Sequence, residues 1–328
     1  MEKLLTINHL MYSRAHCIRL LVESLIRMKN KSCIKLNIMP MLHAWDTIEG
    51  LKLDDVFKKL SQNQIDFEIN PVPNNTDNYL RKINIAVNQK TPYSMKLDED
   101  CYVNPQTLDY IVDNLSVLDD KDTLLMTPIV SNGIPTVDLF IDKFMSGEEK
   151  KGIWSIFNKT SMSNNLWGAD YSRLNKHTTQ KTYWDPNSFY DEVRQLPYFY
   201  KGIHPVRVSE EAQDFIRDFI LRNISTYWGS CPEGIKKIKP VYLCNSIFII
   251  KTDLWKSIIN RKDLYRDAFD EVTLNLYMEE TNKKIAIIDG SYCIHLYYNT
   301  IIEFGGDFIG KCNSFYDSII LELSRIIK

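Results

Sequence analysis

Three consecutive acids, Asp98-Glu99-Asp100, close an apolar run that begins at Tyr93. Residues two apart on a strand share a face, so Asp98 and Asp100 are expected to enter one cleft while Glu99 points away. Two carboxylates converging at a strand end can hold a hard divalent cation that also grips phosphate oxygens. Asn104-Pro105 follows closely, which predicts a side-chain N-cap and a proline at the first helical position. The same acids would also suit a solvated turn, with Asp100 complementing the helix dipole.

The elements that must position these acids are legible in the apolar spacing. Residues 4–11 read as a buried strand, and Ile18, Leu21, Val22, Leu25 and Met28 recur at helical steps. A second strand (34–41), a helix from Asp46 or Thr47 through Leu60, and a short strand (65–69) come next. A helix capped by Asp77 then leads to the strand that ends at the acids. Four strand–helix alternations with short connections predict an α/β fold, a mostly parallel central sheet with helices on both faces. In such sheets ligands bind at the carboxyl ends of the strands, where Asp98 and Asp100 fall.

Residues 123–130 read as another strand, after which periodicity loosens from about 131 to 240. Trp154, Trp167, Tyr171, Tyr183, Trp184, Phe189, Tyr190, Tyr198, Phe199 and Tyr200 lie in that stretch, and a helix is expected near 211–224. A long aromatic insert of this kind reads as a binding region. Regularity returns with a strand at 241–250, a helix opened by Asp270, short strands at 285–288 and 292–296, and a final helix near 313–327. Three regions are expected: 1–130, an insert at 131–240, and a return to the core at 241–328.

Composition bounds the function classes. A formal net charge of −2 gives no overall basic field for nucleic acid or anionic membrane. The 7 cysteines are odd in number and lack C-x-x-C spacing, which argues for free thiols and a cytoplasmic setting. No run of about 18 apolar residues is present, so no membrane span is expected.

Residues Asp77-Asn78-Tyr79-Leu80-Arg81-Lys82-Ile83-Asn84-Ile85-Ala86-Val87, with Thr91-Pro92 and the strand Tyr93–Asp100, resemble the nucleotide-sugar half of a GT-A fold glycosyltransferase. The likeness is to the family 2 type, covers about 4–118 and 241–298, and does not reach the insert. It implies a nucleoside diphosphate sugar donor, first of all a UDP-sugar, together with Mn²⁺ or Mg²⁺. By that resemblance Asp98 contacts the donor and Asp100 ligates the metal. His295, on the apolar segment 292–296, becomes a late metal ligand, although a lone histidine there also fits a satisfied core position. Asp270 or Glu271 becomes the general base that takes the acceptor hydroxyl proton. The family's usual order is Glu-Asp, so the reversed order here leaves both the choice of base and the stereochemistry open. Asp270 also reads simply as an N-cap. Asn8, Met11, Tyr12, Arg81 and Asn84 would line the nucleoside pocket, with Asp46 in place of the family's acidic base contact. Gly305-Gly306 and Lys311 fit either an ordinary glycine-containing loop or a flexible flap over the diphosphate.

The expected acceptor is a saccharide held by the aromatic insert. A nucleobase in DNA would instead need a basic stripe such as Lys236, Lys237 and Lys239. Two other readings compete: a nucleotidyltransferase or sugar-nucleotide pyrophosphorylase, and an inactive GT-A-like binding protein. The first normally wants a glycine-rich phosphate loop after the first strand, and Met11-Tyr12-Ser13-Arg14 has no glycine.

Overall fold

Strand alternation and helical spacing in the first third produce the elements they predict. The computed structural model describes residues 2–11, 15–40, 53–72, 78–163, 169–179, 184–197, 200–261, 270–295 and 307–326. Four segments form parallel strands: β1 (Leu5–Met11), β2 (Ile34–Pro40), β3 (Asp66–Ile69) and β4 (Tyr93–Asp98). β1 lies between β2 and β4, with Leu10 opposite Asp98 and Asn8 opposite both Asn37 and Lys96. Their connections carry α1 (Ala15–Arg27), α2 (Asp54–Gln62) and α3 (Asn78–Val87), and α4 (Pro105–Asp113) follows β4. Ile18, Leu21, Val22 and Leu25 of α1 are buried, each contributing about 1.5–3 kcal/mol relative to exposure.

The chain steps outward from β1 through β2 to β3, then returns to place β4 on the other side of β1. Right-handed crossovers therefore put α3 on the face opposite α1 and α2. α1 packs on α2 and α4, which is consistent with that division. The reversal makes the carboxyl ends of β1 and β4 a topological switch point, the place where open α/β sheets form a ligand crevice. Asp98 ends β4 there.

Asn104 caps α4 as expected: its side chain accepts from the Thr107 N–H at 2.9 Å, and Pro105 opens the helix. A two-residue strand, β5 (Cys101–Tyr102), intervenes between the acids and that cap. β6 (Thr123–Val130) matches its predicted bounds. The insert is mainly helical: α5 (Thr136–Phe144), α6 (Gly147–Lys159), α7 (Pro186–Val193) and α8 (Glu210–Arg222). β7 (Gly234–Ile238), β8 (Ile247–Lys251), α9 (Thr252–Ile259), α10 (Asp270–Thr281), β9 (Lys284–His295) and α11 (Asp307–Ile326) are the longer elements that follow. The sheet order is β3-β2-β1-β4-β8-β6-β9-β5, with β7 on β9. β8 is antiparallel to both β4 and β6, so β6 points the same way as β1 to β4. The fold is thus α/β with a mostly parallel central sheet.

Three expectations need correction. β8 starts at Ile247 rather than at 241, and the N–H of Cys244 donates instead to the Ile134 carbonyl. The two short strands expected at 285–296 are one strand, β9. Gly290, at φ +86°, carries the chain through the region where a break is predicted, and a Cβ there would lie 2.6 Å from the Glu233 backbone nitrogen. In the insert, short helices escaped notice because each has few turns, although the Ser146–Glu149 capping box is written in the sequence.

The chain divides into two units. The first comprises Met1–Pro128, Trp228–Lys239 and Asn245–Cys293, and the second Ile129–Tyr227, Pro240–Cys244 and Ile294–Lys328. The second unit has its own core. Trp184, Phe157, Phe189 and His204 meet there ring to ring, with Trp184 and Phe189 at 4.9 Å. Asp138 is the polar anchor of this cluster, accepting from Trp184 Nε1 at 3.0 Å and from the Tyr190 hydroxyl at 2.9 Å.

Gly290→Ala should destabilise the chain by more than about 1 kcal/mol, since it combines positive φ with a backbone clash. Urea unfolding monitored by fluorescence measures this, and an unchanged midpoint would show that β9 does not depend on the glycine.

Candidate functional site

β4 presents Lys96 and Asp98 on one face, two residues apart. The Lys96 side chain is 1% exposed and that of Asp98 26%. An ammonium that deeply buried must find anionic or carbonyl partners. Its Nζ lies 3.0 Å from Asp98 Oδ1 and donates to the Asn245 carbonyl at 2.9 Å. The same residue's N–H donates to Glu271 Oε2 at 3.1 Å. Ser246, next along, accepts from the Asp98 N–H at 2.9 Å. Asn275 donates its side-chain amide to the Glu271 carbonyl at 2.8 Å, within the first turns of α10. Asp98 and Glu271, far apart in sequence, are therefore joined inside the first unit through Lys96 and the backbone of residue 245. Neither Lys96 nor Asn245 was singled out from the sequence. A lysine among apolar strand residues, two positions before an acid, was the available signal.

Asn8 is fully buried, contrary to its expected place in a nucleoside pocket. Its amide donates to the Met95 carbonyl at 3.2 Å and its oxygen accepts from Asn37 at 2.8 Å. Asn70 in turn donates to Asn37 at 2.7 Å. Asn8 thus belongs to an amide ladder across β1 and β2 rather than to a ligand surface. Met11 is fully buried as well. Asn84 is exposed and lines a cavity of about 990 Å³ with Lys35, Asn70 and Asn88. Lys3 and Thr91 place that cavity at the amino ends of β1 and β4, away from Asp98. The switch point, not this groove, is where the carboxylates stand. Tyr12, Asp46, Gly305 and Gly306 lie outside the described residues, as do the side chains of Arg81, Asp270 and Lys311.

β4 stops at Asp98, and Glu99 and Asp100 form a turn. Glu99 is buried at 4% exposure while Asp98 and Asp100 are half-buried. Cys101 follows, its Sγ 3.5 Å from the Ser246 carbonyl oxygen. Burial, then hydrogen bonding to Cys293, then the nearby acids raise its thiol pKa well above the ordinary value. His295 ends β9, and in the second unit its N–H donates to Ser131 Oγ at 3.2 Å. Its Nδ1 lies 2.7 Å from Asn132 Oδ1.

The basic stripe is internally paired: Lys236 meets Asp289 at 2.7 Å, Lys237 meets Asp120, and Lys239 donates to Asn282. Tyr171, Trp184 and Phe189 of the insert are fully buried, so those rings serve the core of the second unit rather than a ligand surface.

No family model matches the chain, and no curated protein sequence matches it. Among solved structures it is similar to S. aureus TarS 1–349 in complex with UDP, at 11% identity and TM-score 0.39, over 97% of this chain and 65% of that one. The same TarS segment in a second structure gives 13% identity and TM-score 0.39, over 97% and 70%. CMP:2-keto-3-deoxy-manno-octonic acid synthetase complexed with CTP gives 8% identity and TM-score 0.40, over 98% and 99%. The chain thus spans less than two thirds of the first TarS chain's length. Likeness at this level carries no argument about ligand or activity, and the fold rests on the strand order and register above.

Cys101 and Cys293 are buried while Cys231 is exposed. Iodoacetamide at neutral pH should label Cys231 in the native protein and leave Cys101 unmodified until the chain unfolds, because burial and a raised pKa both deplete the Cys101 thiolate. Peptide mass mapping with and without denaturant measures this, and rapid native labelling of Cys101 would contradict the placement of β5.

Proposed function

We propose that the chain is a metal-dependent glycosyltransferase that moves a sugar from a nucleoside diphosphate donor to an acceptor hydroxyl. The observation that carries the reading is the joining of Asp98, at the β1/β4 switch point, to Glu271 through Lys96 and residue 245. It brings a donor-side acid and a candidate base to one end of one sheet. In the reaction the acceptor oxygen bonds to the anomeric carbon as the bond from that carbon to the diphosphate oxygen breaks. The diphosphate leaves with the bonding electron pair, and the acceptor proton passes to Glu271 or Asp270 as base. The anchored Glu271 is the first choice of the two, since its carboxylate is already oriented by a backbone N–H.

Asp98 would orient the donor ribose or sugar. Asp100, with a half-buried carboxylate, would hold Mn²⁺ or Mg²⁺. Such a cation supplies Lewis-acid stabilisation of the diphosphate charge. A UDP-sugar is the first donor to test. A saccharide is favoured over DNA as acceptor because Lys236 and Lys237 are already paired with acids. No described helix is long and apolar enough to cross a membrane, and the reading places the enzyme in the cytoplasm.

Thermal-shift screening against nucleotide sugars with and without Mn²⁺ tests the reading. A ligand at a hundred times its Kd stabilises by about 2.7 kcal/mol, so the true donor should stand out in the Mn²⁺ wells. Asp100→Ala should abolish the metal-dependent part of the shift. Glu271→Gln should keep the shift and lower turnover on the order of 10²- to 10⁴-fold. Donor binding that ignores both Mn²⁺ and Asp100→Ala would sink the assignment.

A further inference from the structure

We propose that Lys96 is a positioning residue that couples the donor-side and base-side acids of the site. The inference rests on the glycosyltransferase reading and adds to it a group that touches neither substrate nor metal. Its ammonium is sealed inside the sheet at 1% exposure, so it cannot serve as a surface phosphate ligand. It reaches Asp98 on its own strand at 3.0 Å and the Asn245 carbonyl, at the start of the antiparallel neighbour segment, at 2.9 Å. The N–H of that residue is the donor that orients Glu271.

Two properties follow from this geometry. Asp98 keeps one oxygen against the ammonium, which fixes its rotamer, while about a quarter of its side chain stays exposed. Residue 245 cannot move without also lengthening the bond to Lys96 or the bond to Glu271. A shift of either acid is thereby passed to the other through the Lys96–Asp98 ion pair, two hydrogen bonds and one residue of backbone. An enzyme that must place a donor carbon and an acceptor oxygen in line gains from such coupling, because a displacement near 1 Å can cost on the order of 10² in rate.

The test is a double-mutant cycle on the full chain with Lys96→Met, Glu271→Gln and the pair, using the nucleotide sugar that gives the Mn²⁺-dependent thermal shift. Lys96→Met should raise the donor KM and lower kcat, with kcat/KM falling on the order of 10²-fold. The pair should be no worse than its weaker member, the signature of groups acting as one unit. Losses that multiply, or a Lys96→Met variant whose donor KM is unchanged while only the active fraction falls, would overturn the coupling and leave Lys96 a purely structural residue. Should Lys96→Met not accumulate folded, Lys96→Gln takes its place in the same cycle, since it keeps a donor without the charge. If the unmodified chain turns over no nucleotide sugar, the glycosyltransferase reading fails instead. The same cycle read in melting temperature then decides the coupling, and additive shifts would refute it.

Discussion

One buried ammonium constrains most of the first unit. Lys96 sits fully inside the sheet, and an unpaired cation there would carry a desolvation penalty of several kcal/mol. The fold therefore has to deliver a carboxylate and a carbonyl to one point, and it does so with Asp98 and residue 245. Removing one partner from a buried pair typically costs about 3–5 kcal/mol, more than most surface features contribute. Such a pair is weak evidence for stability, because a well-packed apolar residue would stabilise as well. It is better evidence for specificity of geometry, and here the geometry in question ends at the two candidate chemical groups.

The requirement accounts for the antiparallel neighbour of β4 in a mostly parallel sheet. A strand parallel to β4 would enter its pairing from the amino end, far from Asp98. β8 runs antiparallel, so it begins beside the carboxyl end of β4, with Ile247 opposite Leu97. The residues just before it, Asn245 and Ser246, then face the acids with their backbone groups. The Ser246 carbonyl still accepts from the Asp98 N–H in the register of β4 and β8, whereas the carbonyl and N–H of Asn245 serve Lys96 and Glu271.

Sequence reading succeeded where local pattern and tertiary environment agree. The strands carrying Ile7, Leu36 and Met95, the α1 stripe and the Asn104-Pro105 helix start are all of this kind. It failed where side chains were assigned by type without their partners. Asn8 looked like a nucleoside contact from its place near the end of the first strand, yet its amide groups are engaged by Met95 and Asn37. The aromatic residues of the insert looked like a binding surface, but several of them were needed to build a second core. Trp184 and Tyr190 settle their polar atoms on Asp138, a carboxylate with no sequence signal of its own. Lys96 was passed over because lysine is ordinarily a surface residue. Its partner through residue 245, Glu271, was found from its place at a helix start.

The polar face of this sheet links register to chemistry. Thr6 bonds Thr91 at 2.7 Å, Ser94 bonds Thr252 at 2.9 Å, and the Asn70–Asn37–Asn8 ladder runs across the same side as Lys96. Side chains alternate with period two, so a one-residue slip of β4 would turn Ser94, Lys96 and Asp98 to the opposite face and bring Met95 and Leu97 onto the polar one. An apolar strand of equal burial would resist such a slip less, because leucine and methionine exchange faces at modest cost, whereas an unpaired ammonium and orphaned amides do not. The groups that fix β4 in register are thus the ones that set Asp98 at the strand end. Correct pairing of β4 and placement of the candidate donor-side acid are one physical event.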